Sequence, residues 1–230
     1  MTGLVAAAAA FVLLHLLVSG TKVRDALTGA IGQGPYMGLF SLASLGLLVW
    51  LGFAFAAARG GGGDTVYWSG AQATLWVQLF LQLTAFLLIV VGLTTPNPTS
   101  VRQEATLQRP DAIRGMLRVT RHPFLWGVAA WAADHLLVNG DLAGIILFAS
   151  MFVLALLGTV SIDAKRKRAL GAAWDAFAAR TSNVPFAAIA AGRQSFSLGE
   201  IGWWRIALAL VVWAAVIAVH GYAFGVPAFP

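Results

Sequence analysis

The chain has 230 residues, 59% of them hydrophobic and only 10% charged, with a mean hydropathy of +0.80. Soluble domains carry about a quarter charged residues, so this composition excludes a water-soluble globule and leaves a membrane protein. The net charge of +6 then reports basic loops rather than nucleic-acid binding, and the absence of cysteine excludes disulfides, iron–sulfur clusters, thiolate ligands and covalent c-type haem attachment.

The first apolar run, residues 3–18, contains His15 and is followed, not preceded, by Lys22 and Arg24. A cleaved signal peptide has the opposite charge order, so a retained transmembrane helix is expected. A loop over 19–35 leads to a second helix over 36–58, long enough to cross a hydrocarbon core of about 30 Å. Arg59 and the glycines 60–63 predict a flexible turn. The third helix, over 69–93, carries Gln72, Gln78 and Gln82. The last two lie four residues apart and share a face, expected to point inward where interhelical hydrogen bonds satisfy the amides.

Pro96 and Pro98 have no amide hydrogen to donate and end that helix. After a basic connection, a fourth helix takes up at Pro123, tolerated in a first turn, and ends at Asn139-Gly140. A fifth covers 142–162. The second long connection, 163–200, opens with the charged run DAKRKR, expected to anchor at anionic headgroups. Trp174 and Phe177 among charges predict an interfacial amphipathic helix there. Trp203-Trp204 form an aromatic belt before a sixth helix that continues to about Gly221.

The expected fold is therefore an all-α membrane protein, one domain over 1–230. It is a bundle of about six transmembrane helices with long cytoplasmic 3–4 and 5–6 connections. Every Lys and Arg except Arg59 falls in the 1–2, 3–4 and 5–6 connections or, for Arg205, just past the last of them at the entrance of the sixth helix. The positive-inside rule places those three loops in the cytoplasm and both termini outside, as in a multi-pass protein of a bacterial-type inner membrane.

The four histidines are His15, His122, His135 and His220. A histidine within a span is costly and faces a partner or a cavity. Spread over three helices with no cysteine beside them, they point to a metal or haem site assembled from different helices. No HxxxH or HExxH spacing supports a compact zinc site. Asp134, next to His135, either orients that imidazole or meets the outer interface.

A set of further marks runs along almost the whole chain. His15 is followed by Ser19-Gly20 and Arg24, then Tyr36 with Phe40-Ser41-Leu42. RVTRHP (118–123) comes next, with Trp131 and His135 after it. Gly171 with Trp174, Arg180-Thr181-Ser182, PFAAI (185–189) and Gly192-Arg193 complete the set. In these residues the chain resembles the NnrU family and the related 15-cis-zeta-carotene isomerases. The resemblance implies a haem b membrane enzyme that turns a central cis double bond of a carotenoid to trans. For the NnrU branch it implies a link to nitrite and nitric oxide reduction. Carried over, the axial haem ligands fall on His15 and His135, and a cysteine of plant members falls on Ala132. Depth along the helices suggests other pairings, His135 with His220 and His15 with His122, so His220 stands as a challenger. Trp126, Trp131, Phe124 and Phe148 are candidates to line an apolar slot for a polyene.

RHP at a helix start, followed by the GxxWxxF…RT…P segment, also resembles membrane methyltransferases of the isoprenylcysteine and phospholipid type. That resemblance implies S-adenosylmethionine held with the help of Arg121 and His122. Leu125 and Asp163-Ala164 depart from the pattern. A third reading is a non-catalytic accessory protein for nitrite and nitric oxide reduction. Membrane lipids and an apolar polyene are the expected partners, and nucleic acid is not.

Overall fold

The computed structural model describes residues 1–70 and 74–228; Gln72 lies outside them. From the N-terminus come α1 (Thr2–Leu13), running into a π-helical turn (Leu14–Val18), then α2 (Lys22–Ile31), α3 (Gln33–Ala58) and β1 (Val66–Ser69). Next are α4 (Leu75–Thr94), a 3-10 turn (Glu104–Gln108), α5 (Met116–Val119), α6 (Pro123–Val138), β2 (Asn139–Asp141) and α7 (Leu142–Leu170). The chain closes with α8 (Ala172–Arg180), α9 (Ala187–Ala190), α10 (Leu198–Ile201) and α11 (Trp203–Phe224). The fold is all-α apart from one two-stranded ribbon.

Among the described residues four helices, α3, α4, α7 and α11, are long and apolar enough to cross a membrane. Thr2–Val18 together with α2 makes a fifth if that bent pair is one span. The remaining apolar helix, α6, has 16 residues, about 24 Å, which is shorter than a hydrocarbon core of about 30 Å. The chain groups into two compact units, Met1–Gly70 with Ala132–Ser161 and Ala71–Trp131 with Ile162–Pro230.

In the first unit α1 packs along α3. Leu4, Ala7, Ala8 and Phe11 are its buried side chains, a stripe at helical spacing, and the alanines bring the two backbones close. The helix stops at Gly20, where a Cβ would collide with the Leu16 carbonyl and the Ser161 hydroxyl. The stretch read as a loop over 19–35 is corrected here: most of it is α2. The Thr21 hydroxyl accepts from the Val23 amide at 3.2 Å and caps it. Gly32, at φ +84°, separates it from α3.

The glycine turn is also more ordered than its composition suggests. Asp64 accepts from the Gly60 amide and, through its other oxygen, from the Ala143 amide, each at 2.8 Å. This caps the start of α7 and leads the chain into β1, which pairs antiparallel with β2. Trp68 of β1 donates its indole N–H to the Leu136 carbonyl at 3.0 Å. Its ring and carbonyl lie so close over Gly140 that no side chain fits there.

The second unit is held by close helix contacts and by ion pairs. A Cβ on Gly127 of α6 would stand 2.7 Å from Ile89 and 2.9 Å from the Ala85 carbonyl of α4. One on Gly92 would stand 2.6 Å from the Phe124 amide nitrogen. Small residues thus let α4 and α6 approach closely, the usual basis of packing where lipid removes the hydrophobic drive between helices. Helix α4 ends at Thr94, as Pro96 requires, and Arg205 at the start of α11 donates twice to the Thr94 carbonyl. Gln78 and Gln82 are both buried, as expected, with Gln78 donating to the Thr74 hydroxyl at 2.7 Å.

Two expectations about the 163–200 connection change. Trp174 and Phe177 of α8 are buried, so the apolar face of that helix packs against protein rather than lipid. Gly171, at φ +53°, makes this possible by turning the chain between α7 and α8. Arg166, in the middle of the basic run, is also buried, donating to Glu104 and to the Ser100 carbonyl instead of meeting headgroups.

Candidate functional site

His15 sits in the π-helical turn. Its signature bond runs from the Ser19 amide to the Leu14 carbonyl at 3.1 Å, five residues back. Such turns break the regular ladder and recur at functional positions. The imidazole Nδ1 is 2.8 Å from the Phe11 carbonyl, which can only accept, so Nδ1 carries the hydrogen and donates it. That tautomer leaves a lone pair at Nε2, where the Ser44 hydroxyl of α3 donates at 3.3 Å. The ring of Phe11 lies 4.4 Å away and that of Phe40 5.4 Å away, making an apolar collar. A histidine whose Nδ1–H is tied to a backbone carbonyl has the tautomer of a metal ligand, although here the Ser44 hydroxyl already occupies Nε2.

His135 belongs to the same unit but to another level of it. Its ring stacks on Phe148 of α7 at 4.5 Å, and Phe148 meets Phe55 of α3 edge-on at 6.2 Å. Phe55 lies eleven residues beyond Ser44, about 16 Å along the helix. The Asn139 side chain holds the His135 carbonyl at 2.9 Å. Asp134 beside it is buried and so does not meet the outer interface.

The second unit holds the other two histidines. Asp163 of α7 takes hydrogen bonds from Arg121 Nε at 3.0 Å and from His122 Nε2 at 2.7 Å, and Arg121 Nη2 adds a third donor. The Arg121 guanidinium also lies 6.0 Å over the Trp174 ring. Its backbone is gripped too: Asn97 and Thr99 donate to its carbonyl and its amide donates to the Ser182 carbonyl. Burial, more than the opposing pull of Asp163, holds His122 below the ordinary histidine value, so the ring is neutral and Nε2–H is the donor. His220 binds back to the Val226 carbonyl through Nδ1 at 2.8 Å, which folds the chain after α11 over its last turn. In the second unit Arg121 and His122 are brought together on Asp163 and His220 binds its own C-terminal turn, while in the first unit His15 and His135 have different neighbours. Asp163 and Ser44, the partners that define two of these settings, carry no local signal in the sequence.

Among the described residues no three metal-ligating side chains gather. Haem iron needs less, since porphyrin supplies four of its ligands and the protein one or two. His15 is the residue that would hold such a group, because its Nε2 would give up only a 3.3 Å bond to Ser44. His135 meets α3 by way of Phe148 and Phe55. Arg121 and His122 are turned onto Asp163, with side chains 12% and 1% exposed.

The molecule is thus a polytopic helical membrane protein whose His15 imidazole sits in a π-helical turn. The NnrU protein family model matches residues 3–228, and the chain belongs to that family. It is similar to the chloroplastic 15-cis-zeta-carotene isomerase of Zea mays, 28% identical over 181 residues, covering 75% of this chain and 47% of the relative. It is also similar to the chloroplastic 15-cis-zeta-carotene isomerase of Arabidopsis thaliana, 27% identical over 128 residues, covering 54% of this chain and 33% of the relative. The chain therefore spans less than half the length of these curated relatives. No solved structure matches it significantly.

Proposed function

We propose that the protein is a membrane isomerase of the carotenoid type, acting on a long apolar polyene with a central cis double bond. The observation that carries this reading is the similarity to two 15-cis-zeta-carotene isomerases, the longer match covering 75% of the chain. Haem b, with His15 as its protein ligand, would supply an iron able to lend electron density to the polyene and so lower the order of the bond that must rotate. The chain's own part is to hold the His15 ring through Phe11 and to keep water away with the Phe11 and Phe40 rings. His135, the second ligand implied by the family resemblance, acts in this reading through its stack on Phe148 rather than on the iron. The distribution of Lys and Arg supports a bacterial-type inner membrane with both termini outside.

The test is turnover. Protein purified with haem and reconstituted in vesicles is given a 15-cis polyene under reducing conditions, and the products are separated by chromatography. Conversion to the trans isomer that is lost in His15→Ala supports the reading. A haem-loaded protein inert on every polyene offered would contradict it and leave the accessory role in nitrogen-oxide reduction.

A further inference from the structure

Between α1 with its π turn and α3, the chain forms a helix that belongs to neither. α2 is bent 77° from Thr2–Val18. If α1 runs near the bilayer normal, a helix at that angle lies close to the membrane plane. It is ten residues long, about 15 Å, and buries none of them.

Its residues divide cleanly at 100° per step. Val23, Leu27 and Ile31 fall on one side with Ala26 and Ala30, while Arg24, Thr28, Asp25 and Lys22 fall on the other. The three large apolar side chains are 49%, 39% and 43% exposed, so the protein does not cover them. The helix is nonetheless held in place. Arg24 reaches the Gln33 side chain at 3.5 Å and stands 5.8 Å over the Tyr36 ring, both on α3.

We infer that α2 is an in-plane helix docked in the boundary between headgroups and acyl chains of a bilayer containing anionic phospholipid. The Val23, Leu27 and Ile31 stripe enters the acyl region and Lys22 meets the phosphates, while Arg24 stays tied to Asp25, Gln33 and Tyr36. What covers the stripe follows from the neighbours: α2 joins an apolar helix to a spanning one at the same membrane surface. Since Lys22 follows His15 by seven residues, the docked helix also fixes that imidazole at about 10 Å below the surface. This placement is independent of the isomerase reading and of any haem.

The chain has no cysteine, so single labels are unambiguous. Nitroxide labels at Val23→Cys, Leu27→Cys, Asp25→Cys and Thr28→Cys are measured in the full-length protein. The vesicles are phosphatidylcholine with or without phosphatidylglycerol, and accessibility to oxygen is compared with accessibility to a nickel chelate. Labels at 23 and 27 are expected to favour oxygen severalfold, at a depth of a few ångströms, and those at 25 and 28 to favour the chelate. Phosphatidylglycerol is expected to deepen the apolar pair, and Lys22→Gln to reduce that shift. Labels at 23 and 27 lying near the bilayer centre would overturn the inference in favour of a re-entrant loop. Four chelate-accessible labels would overturn it in favour of a solvated segment, and four labels closed to both reagents in favour of a protein-covered one. No response to phosphatidylglycerol would remove the role given to anionic headgroups.

Discussion

The Ser44 hydroxyl and the His15 imidazole meet at 3.3 Å between α3 and the π turn, and the hydrogen bond occupies the one lone pair that iron would need. Ser44 would therefore compete with a haem iron at Nε2 while stabilising the haem-free protein. Ser44→Ala is expected to lower apoprotein stability by about 1 kcal/mol and to raise haem affinity by about fivefold. Denaturant unfolding and haem titration in detergent, run side by side, check the two opposite signs.

Asp163 anchors two donors whose side chains are almost closed to solvent. Removing it strands Arg121 and His122 together. Asp163→Ala is expected to cost about 3–5 kcal/mol, because uncompensated buried charge is expensive. Asp163→Asn keeps one acceptor oxygen and should lose less. Thermal unfolding in mild detergent ranks the two, and equal losses would show that the carboxylate charge alone matters.

The approach of α4 to α6 depends on the missing side chain at Gly127. Gly127→Val must push Ile89 and the α4 backbone away, an overpacking expected to cost about 1–3 kcal/mol or more. Gly34→Val is the control, since the space around a Cβ there is open. The check is the recovery of folded protein on size-exclusion chromatography.

Glu200 accepts from Arg118 at 2.7 and 2.9 Å and from the Gly115 amide at 2.9 Å. The Arg118 hydrogen bond, first, and then the backbone N–H hold its carboxyl below the ordinary value of 4.5. A carboxylate whose folded value is depressed contributes stability that is fully present above its unfolded value. That contribution fades as pH falls from about 4.5 through the lower folded value. Glu200→Gln should therefore narrow the stability difference between neutral pH and acid. With a third of the side chain exposed, the effect is small, and it shrinks further in high salt.

Much of this architecture is written locally. Pro96 and Pro123 mark a helix end and a helix start, and both fall where the lack of a proline amide hydrogen demands. The pair Gln78 and Gln82 faces inward for the reason its spacing gives. The rest depends on partners distant in the chain. Asp163 is 41 residues from His122, and nothing around either residue announces the other. Trp174 looks interfacial among its charged neighbours until the Gly171 turn lays it under Arg121. β1 is four residues long, too short for an alternating pattern, and is recognisable only from its pairing with Asn139–Asp141. Helix α2 was hidden by glycines at both ends, which read as loop although Thr21 supplies a cap.

In the proposed function, His15 presents the imidazole on which the protein would hold an iron porphyrin. The most direct measurement is an absorption spectrum of the protein purified in mild detergent after expression with ample haem, oxidised and reduced, beside a pyridine haemochrome assay. Stoichiometric b-type haem that disappears in His15→Ala and persists in His135→Ala is the predicted result. A colourless protein, or haem that survives His15→Ala and is lost in His135→Ala, would contradict it.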